Sequence, residues 1–357
     1  MKKKIFILML LIAVCLTSVS CSGADTDKKA KSAEVSGVYV ESEFAPLKKV
    51  ILSQSEYTDS FIPVSQNYVS ADEMKALGAE IRGDYVYIPA DSENMKQMEE
   101  ERKKLAAILE RYGVEVLWPR KLTDAEIASA TKTDGPTYGS GLTNCFSRDP
   151  FIVVGDHVIE ANFRKEYRRF EALTARDLFP EGSNYVALPV ADISDIEAGP
   201  FLEGGDVIVY HKQVFVGNSG YGSNTAGIEW LRNYLSPYGY EVIEVKLQGN
   251  ILHLDCAMSL VKEGLMIVCE ESFADGIPDA FKEWDKITVS EKDAEHLAIN
   301  GLPVSPEAYI TDVAFKDTIG KELEDRGITV EYLDFSATRA NYGSVHCSTQ
   351  PVLRLDS

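Results

Sequence analysis

Three stretches of this chain repeat one plan, and that plan limits the possible folds more than any other feature. Asp149-Pro150 leads into FIVV, a Gly-Asp turn and HVIEA; Gly205-Asp206 leads into VIVY, a His-Lys turn and QVFVG; Asp255-Cys256 leads into AMSLV, a Lys-Glu-Gly turn and LMIVC. Short β-branched runs on either side of a polar turn are hairpins. Helical patterns follow over residues 164–178 and 225–236, with a shorter one at 277–284, and others lie at 92–112 and 316–326. Helices end alike at Tyr112-Gly113, Tyr238-Gly239 and Arg326-Gly327, each followed at once by a strand-like run. Glycine takes the left-handed conformation that closes a helix. The module is therefore strand, strand, helix, strand. Rotated copies of such a module can close around an axis and remove exposed sheet edges.

Rotation would also bring equivalent positions together at that axis. Asp149, Glu203 with Asp206, and His253 with Asp255 all stand just before a hairpin. Cys347 stands before the last apolar run, PVLRL, and joins them on this reading. Each piece has a plainer explanation. In ILHLD, a strand would put His253 and Asp255 on one face, as a satisfied buried pair or as ligands. In FLEGGD, Glu203 and Asp206 would flank a solvated turn, or the glycines would let backbone approach a ligand. Asp149-Pro150 alone commonly just starts a turn.

From about Gly37 onward no second linker appears, so residues 37–357 read as a single α/β domain. Residues 22–36, SGADTDKKAKSAEVS, read as a flexible tether. Residues 1–21 read as an export signal: three lysines, an apolar run from Ile5 to Leu16, then small residues up to Cys21. Ser18-Val19-Ser20-Cys21 resembles a lipoprotein processing site, although serine replaces the usual leucine. Cys21 is thus the expected lipid-attachment site, with ordinary signal cleavage as the alternative. The protein is expected outside the cytoplasm, periplasmic or at the cell surface, touching the membrane only through that anchor. Net charge is −20, and −23 once three leader lysines are gone. Such a surface repels phosphate backbones, which argues against nucleic acid as a partner. Cys145, Cys256, Cys269 and Cys347 remain in the domain. Export leaves disulfides open, and no CxxC spacing suggests zinc.

Together these residues have a chemical logic. Cys347 would be a nucleophile, His253 an acid and base, and Glu203 the carboxylate that steadies the histidine. The further carboxylates Asp149, Asp206 and Asp255 suit a planar cation with several N–H donors, because guanidinium pairs with carboxylates in a forked geometry.

The chain resembles the guanidino-group modifying superfamily: amidinotransferases, arginine and agmatine deiminases, and dimethylarginine hydrolases. The resemblance covers roughly residues 41–354. It rests on SRDP at 147–150, EGGD at 203–206, HLD at 253–255 and VHCSTQP at 345–351, in the family's order. It implies a five-bladed α/β-propeller (pentein) of ββαβ modules around a central site. It implies Cys347 as nucleophile, His253 as acid/base and Glu203 as its partner, with Asp149 and Asp255 gripping the guanidinium and Asp206 as a further polar residue. Arg339 is a candidate for a substrate carboxylate, although its spacing from Cys347 departs from the family pattern. A small arginine-like substrate, a covalent amidino-cysteine and no cofactor follow from the resemblance. The stretches at 159–168 and 227–232 look most like amidinotransferases, which favours transfer to an amine. EGGD and the Cys-Ser-Thr-Gln tail look more like deiminases, which leaves hydrolysis as the alternative. A non-catalytic alternative is an exported binding protein for cationic amino acids, which would have no use for Cys347 or His253. By composition Asn218–Asn224 is a flexible loop, and covering the site is its functional reading.

Overall fold

The computed structural model describes residues 37–53, 60–63, 78–83, 85–89, 91–123, 125–126, 145–165, 168–189 and 199–355. The expected leader, its Cys21 and the tether 22–36 lie outside the described residues.

Strand β1 (Leu47–Leu52) is followed by a small antiparallel insertion of β2 (Ser60–Pro63), β3 (Glu80–Arg82) and β4 (Tyr85–Ile88). Helix α1 (Glu93–Arg111) then leads to β5 (Glu115–Leu117), parallel to β1. The three expected hairpins are present. β6 (Phe151–Val154) pairs with β7 (His157–Glu160), and β8 (Asn184–Ala187) joins in parallel. β9 (Val207–Tyr210) pairs with β10 (Gln213–Asn218); α2 (Thr225–Leu235) leads back to the parallel β11 (Glu241–Lys246). β12 (Met258–Lys262) pairs with β13 (Leu265–Val268), and β14 (Asp285–Thr288) runs parallel to β13. After α3 (Glu291–Glu295) comes a hairpin the sequence reading passes over, β15 (Leu302–Ser305) with β16 (Ala308–Asp312). Helix α4 (Lys321–Asp325) and the parallel β17 (Thr329–Leu333) complete that unit. α5 (Ser336–Arg339) leads to β18 (Thr349–Arg354), which pairs antiparallel with β1.

Five of the sheets thus have one topology: an antiparallel pair with a third strand parallel to its second member. In one sheet the pair is made from the two ends of the domain, β18 and β1. The expected helix ends hold, with Gly113, Gly239 and Gly327 all left-handed at φ of 76 to 80°. The helices pack apolar faces onto the sheets. Ile228, Leu231 and Leu235 of α2 lie against Val214 and Val216 of β10 and Val242 of β11. Leu105, Ile108 and Leu109 of α1 lie against Val50 and Leu52 of β1. Each such side chain, fully buried, stabilises the fold by about 1.5–3 kcal/mol.

The helix expected at 164–178 is instead two 3-10 turns, Glu171–Thr174 and Arg176–Leu178. Arg168 forks onto Glu171 within this stretch, and Arg169 Nε donates to the Phe163 carbonyl. The pattern at 277–284 yields a single 3-10 turn, Asp279–Phe281, that buries Phe281. At 316–326 a π-helical turn, Lys316–Gly320, precedes α4.

The segment from residue 37 to 46 stitches neighbouring sheets together. Tyr39 bridges to Leu353, Val40 to Gly155 and Ser42 to Tyr210. It thereby buries two carboxylates, Glu41 and Glu43.

Candidate active site

Every one of the five like sheets begins just after a polar turn. Asp149 precedes β6, Asp206 precedes β9, Asp255 precedes β12, Asn300 precedes β15 and Cys347 precedes β18. Two of these turns have the same backbone form. Glu203 is extended and leads into the 3-10 turn Gly204–Asp206; His253 is extended and leads into the 3-10 turn Leu254–Cys256. The strand expected through ILHLD is therefore a turn, and Asp255 is aimed by that turn rather than by strand alternation. Cys347, His253, Glu203, Asp149, Asp206 and Asp255 are all buried.

Glu203 and His253 meet directly, with Oε2 and Nε2 2.8 Å apart. On the other edge of the ring, His253 Nδ1 lies 3.6 Å from Asp149 Oδ1. Asp149 Oδ2 takes an ion pair from Arg168 at 2.9 Å, while Oδ1 has no hydrogen-bond partner among the described residues. A buried carboxylate oxygen left without a donor is costly, and a ligand N–H is the simplest remedy. Gly205 makes this approach possible: a Cβ there would lie 2.5 Å from His253 Nδ1 and 2.8 Å from Asp149 Oδ1.

Asp206 uses both oxygens on backbone. Oδ2 accepts the Ser223 N–H at 2.9 Å and Oδ1 the Leu254 N–H at 3.2 Å. It joins the Asn218–Asn224 loop to the His253 turn. Ser223 Oγ accepts the Glu203 N–H, Ser219 Oγ donates to the Leu252 carbonyl, and Gly222 packs against His253. This loop is a pinned wall of the site.

Cys347 is fixed through its backbone. Its N–H donates to Asn300 Oδ1 at 3.1 Å, and its carbonyl accepts from the Arg148 N–H at 3.1 Å. Its Sγ lies 3.6 Å from Asp255 Oδ2. The neighbouring hydroxyls serve the turn: Ser348 Oγ donates to the Ser344 carbonyl, and Thr349 Oγ1 to the His346 carbonyl. His346 Nδ1 sits 2.8 Å from Asp255 Oδ2, and its Nε2 lies 3.2 Å from Glu43 Oε2. Arg148 Nη1 is 3.9 Å from Glu43.

Electrostatics follow from these distances. Burial pushes the His253 imidazolium down, but the charges of Asp149 and Asp206 and the Glu203 hydrogen bond hold its pKa well above the usual value. Burial would raise Glu203, and His253 overcomes it, leaving the carboxyl below its ordinary range. Burial drives Asp206 up to about 7, against the pull of His253 and Ser223. Asp255 and Glu43 are both held at about 2: burial opposes this, and His346, with Arg148 behind it, outweighs burial.

Arg339 Nε bonds to Asp312 at 2.7 Å, with its guanidinium over Phe315. Among the described residues, none of its side-chain contacts reaches Cys347, His253 or their carboxylates. Among the described residues, no disulfide joins Cys145, Cys256, Cys269 and Cys347 to one another. Among the described residues, Asp255, Cys256 and Cys347 form the group with ligand-like spacing, their donor atoms within 4.8 Å of one another.

Sequence reasoning passed over Asn300, His346 and Glu43. For Asn300 the available signal is its place before a hairpin, as with the acids. β15 is an edge strand, where its Pro303 is tolerated.

A family model described as N,N dimethylarginine dimethylhydrolase, eukaryotic, matches residues 136–354. The chain belongs to this family, within the guanidino-group modifying superfamily. This guanidino-modifying chain is 24% identical over 367 residues to the mitochondrial glycine amidinotransferase of Danio rerio, covering 90% of this chain and 84% of that protein. It is 27% identical over 211 residues to the uncharacterized protein YkgA of Bacillus subtilis (strain 168), covering 58% of this chain and 69% of that one. Its fold resembles that of SxtG, an amidinotransferase from Microseira wollei in the saxitoxin biosynthetic pathway. The TM-score is 0.73 at 24% identity, covering 90% of this chain and 98% of that one. It is an amidinotransferase-like enzyme that modifies a guanidino group.

Proposed function

We propose that this enzyme moves the amidino group of an arginine-like donor onto Cys347 and then to an acceptor amine. The observation that carries the guanidinium reading is Asp149 Oδ1, a buried carboxylate oxygen with no donor among the described residues, 3.6 Å from the His253 ring. Asp149 and Asp255 would take the N–H groups of the cation. The cation beside Cys347 would favour its thiolate. The sulfur attacks the guanidinium carbon and forms a C–S bond. The C–N bond to the departing amine breaks, and His253, held protonated, gives that amine its proton. The now neutral His253 takes a proton from the acceptor as its nitrogen attacks and the C–S bond breaks. Glu203 keeps the ring oriented through both halves. On this reading the five like sheets are blades of an α/β-propeller, and their leading turns meet at its centre.

Transfer is preferred because the likeness to a glycine amidinotransferase extends over 90% of the chain. Water as acceptor is the second reading, favoured by the hydrolase description of the matching family model. The leader and Cys21 would place the enzyme outside the cytoplasm on a lipid anchor; loss of membrane association in Cys21→Ala tests this. The reaction is tested with arginine labelled at the guanidino carbon, with and without glycine. Ornithine with the label on glycine supports transfer. Labelled citrulline and ammonia, indifferent to glycine, would establish hydrolysis instead.

A further inference from the structure

Two thiols lie side by side at this site, and the proposed transfer uses one. Cys256 closes the turn Leu254–Cys256, and Cys347 stands before β18. Both are buried, and their sulfurs lie within 4.8 Å of each other. Asn300 holds both turns in place: Oδ1 accepts the Cys347 N–H, and Nδ2 lies 3.3 Å from the Asp255 carbonyl and 3.8 Å from Cys256 Sγ. A disulfide needs the sulfurs at about 2 Å, so they must close by roughly 3 Å or less. Side-chain rotation can supply much of that.

We propose that Cys256 is a resolving thiol for Cys347, so that peroxide converts the pair reversibly into an inactive Cys256–Cys347 disulfide. The Cys347 thiolate attacks one peroxide oxygen. The O–O bond breaks, water departs after protonation, and the sulfur becomes a sulfenic acid, oxidised by two electrons. The Cys256 sulfur then attacks that sulfur. The S–S bond forms, the S–O bond breaks, and the hydroxide leaves with the Cys256 proton as a second water. A dithiol reductant returns both thiols. Cys347 reacts first, as the thiol the proposed transfer uses as its nucleophile, and Cys256 follows because its sulfur stands within 4.8 Å. Without a resolving partner, sulfenic acid proceeds to the irreversible sulfinic acid.

The loss of activity rests on Cys347 being the nucleophile, whereas the bond does not. The full chain is treated with hydrogen peroxide in the presence of a chelator, because Asp255, Cys256 and Cys347 could also hold a thiophilic cation. Peptides are then mapped without reduction. The expected result is a linked Cys256–Cys347 peptide, with turnover falling at least about tenfold and returning on addition of a dithiol. Cys256→Ser, and Cys256→Ala as a second variant, should keep untreated turnover. After peroxide they should carry sulfinic acid at Cys347 and stay inactive with dithiol. No linked peptide, linkage to Cys145 or Cys269 instead, or dithiol recovery of the Cys256 variants equal to wild type would each overturn the proposal. If Cys347→Ser turns over normally while the wild type still forms the linked peptide, it is the nucleophile reading that fails.

Discussion

Glu203 Oε2 lies 2.8 Å from His253 Nε2, and each residue is the extended step into its own 3-10 turn. Two copies of one backbone device thus supply the two members of an acid–base pair. With the charges of Asp149 and Asp206, the pairing holds the His253 pKa above its usual value, against the burial that would lower it.

Removing that support should move a pH profile. Glu203→Gln takes away a charge and a charge-assisted hydrogen bond, so the His253 pKa falls. The protonated ring is the proton donor in the first half-reaction. The alkaline limb of kcat/KM should therefore shift to lower pH, and turnover at neutral pH should fall about 10²–10⁴-fold. An alkaline limb that stays where it was would remove His253 from the role.

Cys347→Ser should lower turnover by several orders of magnitude, the result of replacing an activated nucleophile. The wild type, quenched in acid with arginine and no acceptor amine, should carry an amidino group on the peptide containing Cys347. Peptide mass spectrometry reads this directly. An adduct on another residue would move the nucleophile.

Acid should weaken the fold through His346 and its two carboxylates. Glu43 and Asp255 sit at about 2, against ordinary values of 4.5 and 3.8. Depressed carboxylates contribute stability above their ordinary values and lose it as pH falls through the folded value. The window is therefore about pH 4.5 down to 2. Each contributes on the order of 2–3 kcal/mol, and they share His346, so the two do not add. Denaturant midpoints measured across that range should fall steeply in the wild type and less steeply in Glu43→Gln, which starts out less stable at pH 7. Parallel curves would contradict the assignment.

Glycine substitutions should separate site geometry from backbone strain. Gly205→Ala puts a methyl 2.5 Å from His253 Nδ1 at a residue with no positive φ. It should cost about 1–3 kcal/mol by overpacking and abolish most turnover. Gly239→Ala meets open space but forces alanine to a φ of +80°. It should cost about 1 kcal/mol with turnover unchanged. Thermal melts and assays of the two variants make the comparison.

The local devices were legible. Hairpins at Phe151, Val207 and Met258, and glycines ending helices at 113, 239 and 327, arise from neighbouring residues alone, so sequence pattern finds them. The hairpin at Leu302 is harder to read locally: Pro303 disfavours a strand, and it is tolerated here because β15 lies at the sheet edge. Over 164–178 the structure has 3-10 turns at Glu171–Thr174 and Arg176–Leu178, and Arg168 pairs with Asp149, a partner that no local pattern reveals.

By itself the sequence determined the repeating module and the polar residues that lead into it, because both are set by contacts a few residues long. Tertiary structure alone decided which atoms face one another. It turned Asp206 onto backbone and Arg339 onto Asp312, brought Glu43 and His346 beneath Asp255, and put Cys256 beside Cys347. Most of those relations join residues far apart in the chain, and the packing of the sheets sets their distances.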